Sequence, residues 1–416
     1  MSEIIRNDYI DELKKWKYDH FIKVITGVRR SGKSTILQQY IKTLEHLNIE
    51  SKWIQYYDFN VLDPNDFNWK SLKDKIIQNS DETKINYIFL DEVQDIPDFE
   101  KCVISLFENK EIKFDIYITG SNSKMFSKAL ATLFTGRSIE IRVYPLSFKE
   151  YYEYHESINT KLKTTEIFSK YMKYGGLPVL LGVVNNDDKM EKVLQKVFDD
   201  SVQVDIEQRH MIRTEFFYKI AEYIFLQVGQ PISVNNIANF LKSNNNSKTN
   251  FKTIMRYIEW MEEAILLYKC NFMVTKTKNV LQTSGKFYAC DTGIRNSECK
   301  WQIQNRGYLL ENIIYLQLLR KGYKVFSGKM WNNKEIDFIA SKKNIELYIQ
   351  VTEKIDWDKN SNNYKREIGN LESIRNSHLK VVFSLFDESS ITSNGIRIVN
   401  VVEWLMEKIP LMEKIE

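Results

Sequence analysis

The stretch 21–40, FIKVITGVRRSGKSTILQQY, joins a short apolar run to two arginines and a Gly-Lys-Ser-Thr group. Its apolar residues predict a buried strand, and the residues that follow predict a tight loop and a helix that opens at about Lys33. Gly27 and Gly32 stand at the two ends of the GxxxxGK[ST] spacing, which Lys33 and Ser34 complete. The stretch therefore predicts a phosphate-binding loop between a strand and a helix.

A loop of this kind turns several backbone N–H groups inward, and the amino end of the helix adds partial positive charge. Lys33 would reach the β- and γ-phosphates of ATP, and Ser34 would offer its hydroxyl to Mg²⁺. The predicted nucleotide-binding residues are Gly27, Arg29, Arg30, Ser31, Gly32, Lys33, Ser34 and Thr35. Arg29 and Arg30 either face solvent or contact phosphate, and a glycine-punctuated turn on a basic surface is the alternative for the whole stretch.

A second motif, INYIFLDEVQD at 85–95, ends an apolar strand with two carboxylates. Asp91 is predicted to hold Mg²⁺ through a water, and Glu92 to orient the attacking water. An acidic pair at a strand end beside solvent is the alternative. Because the pair follows the loop by about 60 residues in an alternating strand and helix pattern, it favours ATP hydrolysis over nucleotide binding alone.

Two more residues are candidates for catalysis at the edge of the same sheet. Asn122, in YITGSNS, either hydrogen-bonds the water or the γ-phosphate, or caps a helix. Arg137, in LFTGRSIEI, either stabilises transition-state charge on a nucleotide, that of its own subunit or of a neighbouring one, or forms an ordinary surface ion pair.

The pattern of apolar runs predicts an α/β protein of four parts. Residues 1–146 form a P-loop core with a parallel sheet, and residues 147–212 form a helical lid region. Residues 213–300 have three helices and a basic ribbon, which is the plan of a winged helix. Residues 301–416 form a small α/β domain.

The composition of the chain excludes several classes of protein. It has 416 residues, with 43% hydrophobic and 27% charged residues and a net charge of +4. The first 20 residues lack the apolar core of a secretion signal, and no run of 18 apolar residues predicts a membrane span. The four cysteines form no CxxC pair. We therefore expect a cytoplasmic protein without a zinc site or a disulfide framework.

Several motifs in the same order resemble one family over nearly the full length. They are GVRRSGKST, FLDEVQ, ITGSNS, YPLSFKEYY, YGGLP, YACDTGIRN and EIDFIAS. Together they resemble the bacterial and archaeal AAA-type ATPases (AAA_14) that carry a C-terminal DUF4143 region. The resemblance implies ATP hydrolysis, a winged-helix middle and a C-terminal domain related to PD-(D/E)xK nucleases.

A PD-(D/E)xK site needs a helix carboxylate, a strand Asp and an (E/D)xK pair on the next strand. Glu311 and Asp337 match the first two positions. In IQVTEK, Gln350 replaces the acid and Thr352 replaces the lysine, so that only Lys354 could substitute on the same strand face. Because an amide is a poor metal ligand, we expect a nuclease-like domain that is inactive or serves binding.

Basic residues in the predicted winged helix indicate contact with DNA phosphates. They are Lys248, Lys252 and Arg256 at the third helix and Lys269, Lys276, Lys278 and Lys286 on the ribbon. The sequence favours a Mg²⁺-dependent ATPase that binds or remodels DNA such as four-way (Holliday) junctions. We expect it to form a homo-oligomer, for which a ring is one arrangement. A nucleotide-switched regulator or defence protein and an ATP-regulated nuclease are the alternatives. No membrane partner is expected.

Overall fold

The computed structural model describes residues 4–61, 68–121, 134–183, 186–208, 210, 212, 214–243, 250–301, 306–330 and 334–411. The chain divides into two compact units. The first contains residues 1–145, 201–206 and 263–265, and the second contains residues 146–200, 207–262 and 266–416.

The first unit is built on a sheet of five parallel strands. They are β1 (Ile22–Thr26), β2 (Ile54–Asp58), β3 (Ile85–Asp91), β4 (Lys113–Gly120) and β5 (Ser138–Arg142). Their order in the sheet is β2-β3-β4-β1-β5, and every neighbouring pair is parallel. The predicted parallel sheet of a P-loop NTPase domain is confirmed.

Helices cover both faces of this sheet because its strands are apolar on both sides. They are α1 (Asn7–Lys15), α2 (Lys33–His46), α3 (Trp69–Gln78) and α4 (Phe99–Phe107). One apolar layer joins strand residues such as Ile88 to Cys102 and Val103 of α4. The other joins Phe89 to Leu37 and Tyr40 of α2. The alternation of Ile88 and Phe89 between the layers follows the period of two of a strand.

The strand order brings three chain segments to one edge of the sheet. In a parallel sheet all carboxyl ends share an edge, and ligands bind there where the strand order reverses. The loop that follows β1, the pair Asp91 and Glu92 at the end of β3, and Ser121 after β4 all lie at this edge. Since β4 lies between β1 and β3, Ser121 lies between the other two segments.

The second unit joins helices to a sheet of nine strands. The helices of the remaining chain are α5 (Phe148–Ser157), α6 (Thr164–Tyr174), α7 (Asp187–Val202), α8 (Thr214–Leu226), α9 (Val234–Ser243), α10 (Phe251–Glu263), α11 (Thr292–Glu298), α12 (Arg306–Arg320) and α13 (Val401–Leu405). The strands are β6 (Pro231–Ile232), β7 (Leu267–Val274), β8 (Val280–Ala289), β9 (Lys324–Lys329), β10 (Glu335–Lys342), β11 (Ile345–Thr352), β12 (Leu379–Ser384), β13 (Ser390–Ile391) and β14 (Arg397–Asn400). Their order is β13-β14-β12-β11-β10-β9-β7-β8-β6.

One sheet therefore crosses residue 300, where the sequence predicts a domain boundary. Strand β7 pairs with β8 in an antiparallel ribbon and with β9 in parallel. Helices α8, α9 and α10 followed by this ribbon are the elements that a winged helix requires, in the required order. The winged helix and the division into four domains stay predictions.

Asp291 explains why the motifs YGGLP and YACDTG occur together. Its carboxylate is buried and accepts hydrogen bonds from the N–H groups of Gly176 at 2.7 Å and Gly293 at 2.8 Å. Gly175 has a φ of 74°, and a Cβ there would lie 1.8 Å from Asp291 Oδ1. The two motifs are thus parts of one contact within the second unit, which only glycine permits at residue 175.

Candidate functional site

The loop between β1 and α2 has the backbone that a phosphate cradle requires. Helix α2 begins at Lys33, after Gly32 with a φ of 96° and Arg30 with a φ of 67°. A Cβ on Gly27 would lie 2.3 Å from the carbonyl oxygen of Val143. Glycine is therefore needed at residue 27 because the chain after β5 packs directly against the loop.

Lys33 and Glu92 meet beside this loop. The Nζ atom of Lys33 donates to the carbonyl oxygen of Gly27 at 3.1 Å and lies 3.3 Å from Glu92 Oε1. Burial acts to raise the pKa of Glu92, but the charge of Lys33, a hydrogen bond from Gln94 and the charge of Arg29 outweigh it, and the pKa lies below its usual value. Glu92 is therefore an ionised carboxylate within reach of the predicted phosphate site.

Asp91 is held by side chains from three different elements. Tyr56 of β2 donates its hydroxyl to Asp91 Oδ2 at 2.7 Å, Thr119 of β4 donates to Oδ1, and Ser34 of α2 is also hydrogen-bonded to the carboxylate. Burial raises the pKa of Asp91 although these hydrogen bonds act against it. The contact between Ser34 and Asp91 brings together the two side chains that the sequence assigns to Mg²⁺.

Thr119 and Tyr56 are site residues that sequence reasoning missed. Thr119 also accepts a hydrogen bond from the N–H of Glu92 at 2.8 Å, so that one hydroxyl orients both members of the acidic pair. Glu92 itself has a φ of 55°, which directs its side chain away from the course of the strand. The signal in the sequence was a polar residue near the carboxyl end of each strand that neighbours β3.

The residues present fit a nucleoside triphosphate and Mg²⁺. Ser31 Oγ is buried and has no hydrogen-bond partner among the described residues, and a Cβ on Gly27 would lie 2.9 Å from it. Oxygen ligands of the kind that Mg²⁺ prefers are supplied by Ser34 and Asp91. Thr35 is exposed in the first turn of α2.

The two loop arginines have different surroundings. Arg30 is exposed. Arg29 donates to Asp205 through Nε and Nη2, at 3.1 Å each, and Ser121 Oγ donates to the same carboxylate at 2.8 Å. Asp205 is buried and belongs to residues 201–206, which no pattern in the sequence places at this site.

The structure does not bring Arg137 to Glu92. Arg137 precedes β5, whose first residue pairs with the first residue of β1, and so lies at the edge of the sheet opposite to the phosphate loop. Its Nη2 atom lies 2.8 Å from Glu108 Oε1. A role on a neighbouring subunit's nucleotide stays a prediction. Asn122 lies outside the described residues.

Comparison with known proteins shows which families the chain matches. Residues 19–152 match the AAA domain family AAA_14, and residues 165–304 match DUF8612, a domain of unknown function. A protein of Haemophilus influenzae described as uncharacterized is 35% identical over 413 residues, which are 97% of this chain and 99% of the relative. The uncharacterized protein MJ1544 of Methanocaldococcus jannaschii is 30% identical over 87% of this chain and 81% of its own length.

The chain belongs to the family of these two proteins. A solved structure, the Walker-type ATPase PABY2304 of Pyrococcus abyssi, is similar in fold with a TM-score of 0.52 at 14% identity, over 71% of this chain and 96% of that chain. Together with the AAA match, this fold confirms the AAA-type P-loop ATPase part of the resemblance. The DUF4143 part is not shown, since the match over residues 165–304 is to DUF8612.

A group of polar side chains lines a cavity in the second unit. Glu311 of α12, Asp337 of β10 and Gln350 of β11 line one cavity of about 960 Å³, as their predicted grouping requires. Lys286 of β8 lies among the carboxylates, with its Nζ atom 3.6 Å from Glu311 Oε2 and 3.8 Å from Asp337 Oδ1. The expected substitute Lys354 lies beyond the end of β11 and is exposed at the same cavity.

Gln350 is engaged in structural hydrogen bonds. Its Oε1 atom accepts from the N–H of Asp337 at 2.7 Å, and its Nε2 atom donates to the carbonyl oxygen of Arg366 at 3.0 Å and to Glu367 Oε2 at 3.4 Å. In the part of the chain that the structure describes, no group of three or more His, Cys, Asp or Glu side chains could hold a metal ion. The geometry therefore supplies a polar cavity without a metal-ligand set among these residues.

Burial raises the pKa values of two carboxyl groups in the second unit. Burial raises the pKa of Glu311 to about 8 although Lys286 opposes this change, and burial raises the pKa of Glu367 to about 7. Tyr288 donates its hydroxyl to Glu311 Oε2 at 3.1 Å. Both carboxyl groups therefore keep their protons to a higher pH than an exposed glutamate does.

The basic residues predicted to contact DNA are not equivalent. Lys286 was expected on an exposed ribbon and is instead only 3% exposed, because β8 lies inside the nine-stranded sheet. Lys278 is ion-paired with Glu346, whereas Lys252 and Arg256 are exposed on α10. Lys248 lies outside the described residues. Across the described part of the chain, no helix combines the length and the apolar character that a bilayer crossing needs.

Proposed function

We propose that the chain is a Mg²⁺-dependent ATPase that couples ATP hydrolysis to the binding or remodelling of DNA, with branched DNA such as four-way junctions among its substrates. The observation that carries the proposal is the meeting of Lys33, Ser34, Asp91 and Glu92 at the carboxyl edge of one parallel sheet. These residues come from two motifs that are far apart in the chain. Their side chains are those that phosphoryl transfer to water needs.

Each residue has a separate task in this mechanism. The inward N–H groups of the loop and the ammonium of Lys33 would bind the phosphates, and Ser34 and Asp91 would hold Mg²⁺, which supplies positive charge at the phosphates when it is bound. Glu92 would accept a hydrogen bond from the attacking water and orient it. The hydrogen bond between Glu92 N–H and Thr119 keeps that carboxylate in place.

A bound nucleotide would act on the ion pair between Lys33 and Glu92. A polyphosphate carries more charge than one carboxylate and would compete for the Lys33 ammonium. Glu92 would then be released from Lys33 toward the water. Binding of ATP thus prepares the carboxylate that activates its hydrolysis.

We further propose an oligomer in which Arg137 acts on the nucleotide of a neighbouring subunit. Support comes from its place at the far edge of the sheet, which separates it from its own loop. Contact with DNA is proposed for a winged helix within residues 213–300, where Lys252 and Arg256 are exposed on α10. For residues 301–416 we propose a domain related to PD-(D/E)xK nucleases and DUF4143.

An ATPase assay with linear, forked and four-way DNA tests this function. Lys33→Ala should abolish tight nucleotide binding, and Glu92→Gln should keep ATP binding but lower turnover by about 10²-fold or more, in the range expected for removal of a group that positions water. Matched controls are Lys42→Ala and Glu45→Gln, on the exposed side of α2. Normal turnover by Glu92→Gln would refute the assigned role, and an equal rate with and without every DNA would refute the coupling to DNA.

A further inference from the structure

The cavity of the second unit has a buried floor and a basic rim. Its floor contains Lys286, Glu311, Gln350 and Asn370, all of which are buried. Five exposed cationic side chains form the rim, and they are Arg306, Lys334, Lys354, Lys365 and Arg366. The volume of about 960 Å³ lies near the top of the range of roughly 300–1,000 Å³ for ligand pockets.

Lys286 supplies a fixed positive charge in the floor. Its Nζ atom lies 3.6 Å from Glu311, 3.6 Å from Glu335 and 3.8 Å from Asp337. It lies within 4 Å of three carboxylates, whose negative charge it partly offsets. Pairing of β8 with β7 and β6 holds the backbone that carries this lysine.

The floor also offers hydrogen-bond acceptors to a ligand. The Oδ1 atom of Asn370 is buried and has no partner among the described residues, although Nδ2 of the same amide donates to the carbonyl oxygen of Glu335 at 3.3 Å. A buried acceptor without a partner is costly. A ligand that donates N–H or O–H groups would satisfy Asn370 and the neighbouring carboxylates.

The rim has the opposite preference. It carries five cations and two half-buried carboxylates, which are Glu353, 3.9 Å from Arg306, and Glu335. One of the cations, Arg366, is ion-paired with the buried Glu367. Phosphate groups are therefore favoured at the mouth of the cavity, while donor groups are favoured at its floor. Nucleotides combine both, since their phosphates are anionic and their bases and sugars donate hydrogen bonds. Tyr308 adds an aromatic ring on which a base can stack.

We propose that this cavity binds a segment of single-stranded nucleic acid, with phosphates at the basic rim and bases or sugars at the floor, and that Lys286 takes the place of a metal ion there. The cavity volume of about 960 Å³ is enough for a few nucleotides of one strand. The inference rests on the DNA-coupled part of the proposed function and names a site for that contact. Strand binding at this site requires no divalent cation.

Fluorescence anisotropy with labelled oligonucleotides tests the proposal on the full chain. A single-stranded DNA, the RNA of the same sequence and the matching duplex are titrated in EDTA and in Mg²⁺, without nucleotide. We expect the strands to bind more tightly than the duplex, with equal affinity in EDTA and Mg²⁺. The double variant Lys354→Gln/Lys365→Gln removes two phosphate contacts. At about 0.7 per contact, the slope of log K against log salt should fall in magnitude by about 1.4. Binding at roughly 0.1 M salt should then be about 25-fold weaker.

A matched control variant is Lys189→Gln/Lys192→Gln, which removes the same charge from exposed positions outside the cavity. An equal loss in this control, binding that needs Mg²⁺, or full competition by a mononucleotide would overturn the proposal. Cleavage of the strand in Mg²⁺ or Mn²⁺ that Glu311→Gln abolishes would also overturn it, in favour of a metal-dependent nuclease. Since no ATP is present, the result is separate from the ATPase test on Lys33→Ala.

Discussion

The contact between Arg29 and Asp205 is expected to stabilise the phosphate loop by a measurable coupling energy. Asp205 is 2% exposed and accepts two hydrogen bonds from the guanidinium and one from Ser121. A hydrogen bond to a charged group contributes about 1.5–3 kcal/mol. Because the Arg29 side chain is 20% exposed, water can hydrogen-bond the guanidinium after Asp205 is removed and so reduces the free energy that is lost. We therefore expect Asp205→Ala to lower the free energy of unfolding by about 3 kcal/mol.

A double-mutant cycle isolates the pair. Urea denaturation of Asp205→Ala, Arg29→Ala and the double variant should give a coupling energy of about 2 kcal/mol. The exposed pair Lys101 and Asp98, whose atoms are 2.9 Å apart with 57% of each side chain exposed, is the control. It should give less than about 0.5 kcal/mol. If Arg29 and Asp205 also gave less than about 0.5 kcal/mol, the argument from burial and bidentate geometry would be refuted.

Three further predictions concern the second unit. Gly175→Ala should lower the free energy of unfolding by more than about 3 kcal/mol because its Cβ would overlap Asp291. The control Gly395→Ala, with a φ of 76° and open space around it, should lower it by only about 1–2 kcal/mol. Thermal denaturation measures both. Burial raises the pKa of Glu298 to about 8 in the fold, from about 4.5 in the unfolded chain, so the folded state keeps its proton to higher pH and stability falls between these values. Glu298→Gln should remove about 3 kcal/mol of the difference in unfolding free energy between about pH 5.5 and 8.5, and an unchanged pH profile would contradict the raised pKa. Gln350→Glu should destabilise the fold by about 2 kcal/mol or more, since the donor to a carbonyl oxygen is lost and a charge is added; a variant that is stabilised and binds Mn²⁺ would show instead that the site accepts a metal.

The first unit was predictable because its signals are local. A phosphate loop needs glycines at fixed spacings, and Gly27 and Gly32 stand at those spacings, Gly32 with a φ of 96°. The five strands were readable as apolar runs, and their parallel order follows from the alternation with helices. The pair Asp91 and Glu92 was found because it directly ends one of these strands.

The partners of those residues were not predictable. Tyr56 and Thr119 reach Asp91 because β2 and β4 flank β3, and this neighbour relation is a property of the sheet and not of any one segment. Asp205 reaches Arg29 across 176 positions of the chain. No local pattern marks such a contact, since it depends on where a distant segment packs.

The sequence by itself determined that this protein has a phosphate loop followed by an acidic strand end, because spacing along the chain is enough to define both. Only the tertiary structure decided the second site. A lysine that the sequence placed on an exposed ribbon is buried among the acids of a different segment, and Gln350 serves as a structural bridge. The physical reason is that β-pairing over long distances sets which side chains share a cavity, and pairing partners are not written in any single stretch of sequence.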